Sequence, residues 1–302
     1  VGFPAPAEAY RPAEAWLAAL TEATEAASRR GARVETVGFT AERRPIRAFT
    51  VPAAADERVR VLVFAGLHAY EWIGTETAGQ LLLDLLVAPE PHARVTVIPC
   101  VNLDGRLAAE ASFAVGSTAW HRENARGVDL NRDFAVNHEP AGLWSHVLPG
   151  YAASSPRPLS QPETRALDRL AAREGFDRAA SLHAFGGYLY WPWSGRWSRP
   201  DDWRTLATLG REMEAAQGRY GYRSRQLSRW GFFFRAHGSE IDHLHGRYGT
   251  AAFLVELTRS GLDPLHLRRT MRLPFHWYNP VDPRPHVERG IAALRALLAA
   301  EP

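Results

Sequence analysis

The sequence predicts an α/β protein, a three-layer α/β/α sandwich around a parallel or mixed sheet. Three observations carry this expectation. Apolar runs of strand length, VLVFAGLH at 61–68, RAASLH at 178–183 and TAAFLVEL at 250–257, are separated by longer stretches with helical spacing. Strands alternating with helices require a sheet covered on both faces. The 302 residues, 46% of them hydrophobic, suffice for a large core. With no repeat, low-complexity tract or linker to divide them, residues 1–302 are expected to form one domain.

In chain order, residues 12–30 place apolar side chains at helical spacing and end at Gly31, a stop signal. Strands are expected around Val34 to Phe39 and Ile46 to Val51, on either side of the turn-like AERRP. The VLVFAGLH strand leads into a helix from about Glu71 to Val87, and a strand follows at Val95 to Val101. From Leu103 to about Ser160 no clean periodicity survives and Gly, Pro, Ser and Asn accumulate. A loop region this long in a compact domain is more often functional than idle. Helical spacing resumes at PETRALDRLAAREG, with Ser160 as N-cap and Pro162 in the first turn. A strand ending in His183 follows, then GYLYWPW as a hairpin or neighbouring strand, then a helix over 201–221. The TAAFLVEL strand and a helix over 285–300 complete the chain.

Composition excludes several chemistries. All 36 basic residues are Arg, so a P-loop, a Schiff-base aldolase, a pyridoxal enzyme and a Ser-Lys dyad are ruled out. A net charge of +3 with scattered Arg is no nucleic-acid footprint. No apolar run reaches transmembrane length, so the expectation is a soluble protein without a membrane partner. Val1 follows no apolar leader, which leaves a cytoplasmic protein or one secreted after its leader is removed. The single Cys100 allows no internal disulfide, and no base beside it marks it as a nucleophile.

Three strand ends carry chemistry. His68 and Glu71 follow VLVFAGL, His183 ends RAASL, and Glu256 sits inside FLVEL. Ligands of open α/β sheets bind at the carboxyl ends of strands. A catalytic zinc commonly takes three protein ligands and leaves a fourth position for water, and His68, Glu71 and His183 could supply that set. A hydrogen-bonded core imidazole is the plainer reading of any single one of these His. Glu256, flanked by Val255 and Leu257, is either a salt-bridged core acid or a general base. Between the two His lies WHRENARGVDLNRDF, where Arg122, Asn131 and Arg132 crowd a short loop. This is either a solvated basic loop or a set in which one Arg holds a carboxylate and another polarises a carbonyl. A rival cluster, HGSEIDHLH, carries His237, Glu240, Asp242, His243 and His245, although helical placement would spread them over more than one face. The aromatic runs YLYWPWSGRW, WGFFF and FHWYNP suggest a pocket rim as well as core.

The ordered segments GLHAYEWIG, VNLDG, RENARGVDLNRDF, SQPETRAL, SLHAFGGYLYWPW and FLVEL make the chain resemble zinc carboxypeptidases of the M14 type from about Val34 to Leu257. The resemblance implies a mixed eight-stranded sheet in the sandwich and one zinc ion held by His68, Glu71 and His183. It implies Glu256 as general base and then acid, Arg122 as the oxyanion-stabilising arginine, and Asn131 with Arg132 on the substrate's terminal carboxylate. Where digestive members carry an arginine before the ligand Glu, this chain has Tyr70. Counting back from Glu256 puts Phe234 at the mobile lid tyrosine, with Tyr248 reached by a shifted register, and puts Ile241 at the pocket base. An apolar pocket base would favour an apolar or aromatic terminal residue, which the nearby Arg235, Glu240 and Asp242 could reverse. The implied activity is hydrolysis of a C-terminal peptide or amide bond in a substrate with a free carboxylate. An amidase or deacylase of the same fold, acting on N-acyl amino acids or cell-wall γ-glutamyl peptides, is the alternative. A non-catalytic carboxylate-binding module is a third reading, and the retained ligand set with Glu256 argues against it.

Overall fold

A computed structural model of the protein describes residues 9–117, 121–139, 155–231, 235–259 and 275–300. The strands are β1 (Arg33–Phe39), β2 (Pro45–Val51), β3 (Val59–Ala65), β4 (Ala93–Ile98), β5 (Arg178–Ala184), β6 (Tyr188–Trp191), β7 (Arg223–Gln226) and β8 (Ala251–Leu257). They join one eight-stranded sheet in the order β1-β2-β4-β3-β5-β8-β6-β7. Its centre, β4-β3-β5-β8, is parallel, while β1, β2 and the β8-β6 pairing are antiparallel. The expected mixed sheet is borne out.

Period-two alternation assigns each face. Along β3, Val61, Val63 and Ala65 enter one core with α1 (Ala13–Ala26), α2 (Trp72–Val87), α5 (Trp203–Ala216) and α8 (Arg284–Ala299). Leu62 and Phe64 enter the other, with α4 (Pro162–Glu174) and α6 (Glu240–Tyr248). Helix α2 is buried nearly all round because α1 and α8 both cover it, and fully enclosed side chains such as Leu81 and Leu82 contribute about 1.5–3 kcal/mol each.

Several local expectations are corrected. Asn102 caps a helix, α3 (Leu103–Ala114), inside the stretch read as loop, its side chain accepting from Gly105 N. That helix buries only five residues, chiefly in its first turn, so no apolar stripe announces it. The edge strand β7 is RSRQ, polar throughout, and equally silent in sequence. Gln161 holds the N-cap position of α4 in place of Ser160. The start of that helix is bound by the buried Asp133, which accepts from Gln161 N, Ser160 N and the Thr164 hydroxyl. Asp133 thereby ties the site-bearing loop to α4. A short α7 (Phe275–Tyr278) packs beside α2, where Asn279 Oδ1 accepts from Ile73 N. No helix among the described residues is long and apolar enough to cross a membrane.

Candidate metal centre and active site

Chain order reverses about β3. The β3-α2-β4 unit steps to one side and β5 lies on the other, which opens a crevice at the carboxyl ends of β3 and β5. Gly66 turns the chain out of β3 at φ +70, and a Cβ there would lie 3.1 Å from the Cys100 Cα. That turn delivers His68 and Glu71 to the crevice. In β5, Ser181 and His183 point to the face opposite Ala180, Leu182 and Ala184, and the parallel register sets His183 beside Glu256 of β8.

His68 Nδ1 and His183 Nδ1 face each other at 3.1 Å. Glu71 spans them, with Oε1 2.8 Å from His68 Nδ1 and Oε2 3.0 Å from His183 Nδ1. Oε2 of Glu71 also accepts from Ala184 N, which fixes the carboxylate against the end of β5. All three residues are buried, and among the described residues they are the one set of His, Cys, Asp and Glu side chains close enough to hold a metal ion. Two imidazole nitrogens and a carboxylate are a donor set suited to zinc, whose bonds of about 2.0–2.2 Å in a tetrahedron put ligand atoms about 3.3 Å apart. The observed separations lie within a few tenths of that figure, so these residues fit the ion. The far nitrogens are also engaged, His68 Nε2 with Asp129 Oδ1 at 3.1 Å and His183 Nε2 with Glu240 Oε1 at 3.1 Å. Such outer carboxylates orient ligating imidazoles.

The charges are tightly coupled. Burial alone would raise the Glu71 carboxyl, but His68 and His183 outweigh it and hold it well below the usual range. Burial disfavours the charged His183, yet Glu71 and Glu240 overcome this and bring it up to about 10. Glu256 goes the other way: burial first and Glu71 second raise it to about 8. The Glu256 side chain is half-buried, and its Oε2 has no hydrogen-bond partner among the described residues. Arg122 donates from Nε to Asp129 Oδ2 at 2.8 Å, and its Nη1 lies 3.7 Å from Glu71 Oε1. Arg132 donates to the Asn131 carbonyl, and Asn131 Oδ1 accepts from the Glu240 main-chain N–H.

One cavity of about 650 Å³ gathers His68, Glu71, Arg122, Asn131, Arg132, His183 and Glu256. Its remaining wall includes Tyr188, Tyr190, Leu227, Trp230, Ala236, Leu254 and Tyr278, drawn from all three aromatic runs and the strands beside them. Ile241 is not in that wall. It is fully buried in the core between α6 and the sheet, with Ser239 and Ala236 lining the cavity nearby. Phe234 lies outside the described residues. The Tyr248 hydroxyl donates to Asp168 of α4 and is directed away from the cavity. Tyr70 packs beneath the site against Phe275 and Tyr278.

The rival histidine-rich segment, a loop at His237 leading into α6, disperses its groups. Asp242 accepts from Ser194 N and Gly195 N, His243 pairs with Asp168, His245 meets the Thr250 carbonyl, and His237 meets the Asn137 carbonyl. Glu240 alone turns toward the metal centre. Cys100 is buried, with its thiol pushed up by desolvation to about 12, and has the character of a packed core residue. Sequence reasoning missed Asp129, although an acid two residues before Asn131 in an arginine-rich loop is a signal for a pairing role. It also misassigned Glu240, whose chain neighbours all serve other purposes.

The zinc carboxypeptidase family model matches residues 15–275. Carboxypeptidase B of Astacus astacus is 24% identical over 271 residues, covering 83% of this chain and 86% of that protein. Human carboxypeptidase A6 is 24% identical over 216 residues, 67% of this chain and 49% of that protein. In fold, bovine thrombin-activatable fibrinolysis inhibitor, solved with a tick carboxypeptidase inhibitor, superposes with TM-score 0.76 at 19% identity over 97% of both chains. The murein-tripeptide amidase of Escherichia coli O157 superposes with TM-score 0.55 at 20% identity, over 89% of this chain and 92% of that one. With a family match over most of its length, a buried His-Glu-His set suited to zinc and the mixed eight-stranded sandwich, the chain belongs to the M14 family of zinc carboxypeptidases, which are zinc-dependent hydrolases.

Proposed function

We propose that the protein is a metallocarboxypeptidase, with residues 1–302 as one catalytic domain, that hydrolyses the C-terminal peptide or amide bond of a substrate bearing a free carboxylate. In this reading His68, Glu71 and His183 hold one zinc ion. The observation that carries it is the convergence of that set with Glu256, Arg122, Asn131 and Arg132 on one cavity. When bound, zinc polarises the scissile carbonyl and lowers the pKa of water.

The chain's own groups supply the rest. Glu256 takes a proton from the attacking water and passes it to the leaving amine. Its carboxyl is raised toward neutrality by burial and by Glu71, so it can hold the proton between those two events. A zinc ion held by His68, Glu71 and His183 would oppose that rise and would favour ionised Glu256 at the start. Arg122, locked by Asp129, carries a permanent positive charge at the cavity wall and bears the developing oxyanion. Arg132 and Asn131 take the terminal carboxylate. The apolar wall of Leu227, Trp230, Ala236 and Leu254 suits an apolar or aromatic terminal side chain, with Ile241 supporting it from behind.

A scan of peptides with free and amidated C-termini tests this. Hydrogen bonds to a charged group contribute about 1.5–3 kcal/mol, so amidation should lower kcat/KM by roughly tenfold to a hundredfold, and Arg132→Ala should lower it similarly for free termini only. Equal cleavage of both termini would remove the carboxypeptidase assignment. The second reading, an amidase on N-acyl amino acids or cell-wall γ-glutamyl peptides, draws on the fold shared with the murein-tripeptide amidase and on a relative 26% identical over 165 residues, the gamma-D-glutamyl-L-diamino acid endopeptidase 1 of Lysinibacillus sphaericus, a match that covers 44% of this chain and 41% of that protein. Faster turnover of muropeptides or acyl amino acids than of any peptide in the scan would establish it.

A further inference from the structure

We propose that Glu240 is a positioning residue for His183: its carboxylate accepts the Nε2–H and so turns the Nδ1 lone pair toward the metal centre. This rests on the reading of His183 as a zinc ligand. Glu240 opens α6, is completely buried, and places Oε1 3.1 Å from His183 Nε2. A buried carboxylate is costly unless something compensates it. The first turn of a helix supplies part of that compensation, because the N-terminal end of the macrodipole favours negative charge.

The geometry leaves little choice of tautomer. His183 Nδ1 lies 3.0 Å from Glu71 Oε2 and 3.1 Å from His68 Nδ1, so this is the nitrogen that must be free of hydrogen to bind an ion there. Nε2 then carries the hydrogen and needs an acceptor. Two are within reach, the Ser181 hydroxyl at 2.9 Å and Glu240 Oε1 at 3.1 Å. A carboxylate accepts such a bond about twice as strongly as a neutral oxygen. Glu240 Oε2 has no partner among the described residues, so no other bond there competes for the carboxylate. The arrangement mirrors His68, whose Nε2 meets Asp129 Oδ1. Each imidazole thus has its own carboxylate, one from the long loop and one from the histidine-rich helix. The Glu240 main-chain N–H also donates to Asn131 Oδ1, which joins this second carboxylate to the wall proposed to hold the substrate's terminus.

Chelator-competition titrations of zinc against the full chain test the proposal, using the unaltered protein, His183→Ala, Glu240→Gln, Glu240→Ala and Ser181→Ala. Loss of an outer carboxylate typically weakens metal binding about 10- to 100-fold. Glu240→Ala should fall in that range, Glu240→Gln should weaken binding at least threefold, and Ser181→Ala less than threefold. The cobalt-substituted Glu240→Gln protein should also show shifted visible absorption bands, which a change in packing remote from the ion would not move. Less than threefold weakening in Glu240→Gln, or a larger loss in Ser181→Ala than in Glu240→Ala, overturns the proposal. If zinc binding is indifferent to His183→Ala, the failure belongs to the ligand assignment instead. A measurement on the unaltered protein decides the matter even where variants misfold. In the zinc-loaded, 15N-labelled protein His183 should carry a strongly deshielded proton on Nε2, and a proton on Nδ1 or an undeshielded Nε2 proton overturns the proposal.

Discussion

Glu256→Gln replaces a carboxylic acid with a near-isosteric amide, and its consequences differ between the metal-free and the zinc-loaded protein. In the metal-free fold, burial and then Glu71 raise the Glu256 carboxyl from 4.5 to about 8. That displacement corresponds to roughly 5 kcal/mol of preference for the neutral acid, a ceiling because Glu71 shares the interaction. The unfolded chain releases this proton near its ordinary value, so the folded state binds it more tightly. Stability from this group is therefore fully present below the unfolded pKa, declines as pH rises toward 8, and is lost above it. The amide does not titrate. Urea unfolding in the presence of a chelator should show the Glu256→Gln protein gaining on the unaltered protein between pH 5 and pH 9, by up to roughly 5 kcal/mol. A stability difference that stays flat across that range would refute the argument that burial in the metal-free site penalises the charge. With zinc bound, the variant should retain one ion per chain while turnover falls by roughly 10²- to 10⁴-fold, the usual contribution of a general acid-base group. Near-normal turnover would refute its role as base.

Three further outcomes are expected. Asp129→Ala removes the acceptor shared by His68 Nε2 and Arg122 Nε, and chelator competition should show zinc affinity down roughly 10- to 100-fold, with unaltered affinity counting against the pairing. Gly79→Ala would put a Cβ 2.5 Å from Trp16 Nε1 where α1 docks on α2, and overpacking of this kind should lower stability by about 1–3 kcal/mol, read as a lower urea midpoint. Cys100, buried and with its thiol raised to about 12, should resist iodoacetamide at pH 8 in the native protein and react once unfolded; rapid native labelling, followed by mass, would contradict its enclosure.

The alternation of apolar strands with helical stretches was sufficient to place β1 to β5, β8 and the helices α1, α2, α4, α5 and α8, because the outer helices bury a face whose period is written in the residues while the central strands and α2, covered on more than one side, read as near-continuous apolar runs. His68, Glu71, His183 and Glu256 stood out on a different ground: polar groups just past the ends of apolar strands or within one are costly unless paired or bound, and several of them fall at strand ends together. Helix α3 and strand β7 were not legible, since one starts at an Asn102 cap and carries no apolar stripe, and the other lies at a polar edge. Tertiary structure alone decided which acids serve the two imidazoles. Asp129 and Glu240 lie 61 and 57 residues along the chain from His68 and His183, and only the crossing of the loop and α6 over the sheet brings them within hydrogen-bond reach. It likewise withdrew Ile241 into the core and dispersed the histidine-rich helix, because a helix shows its neighbours different faces at successive residues whereas a strand end presents its side chain to one crevice.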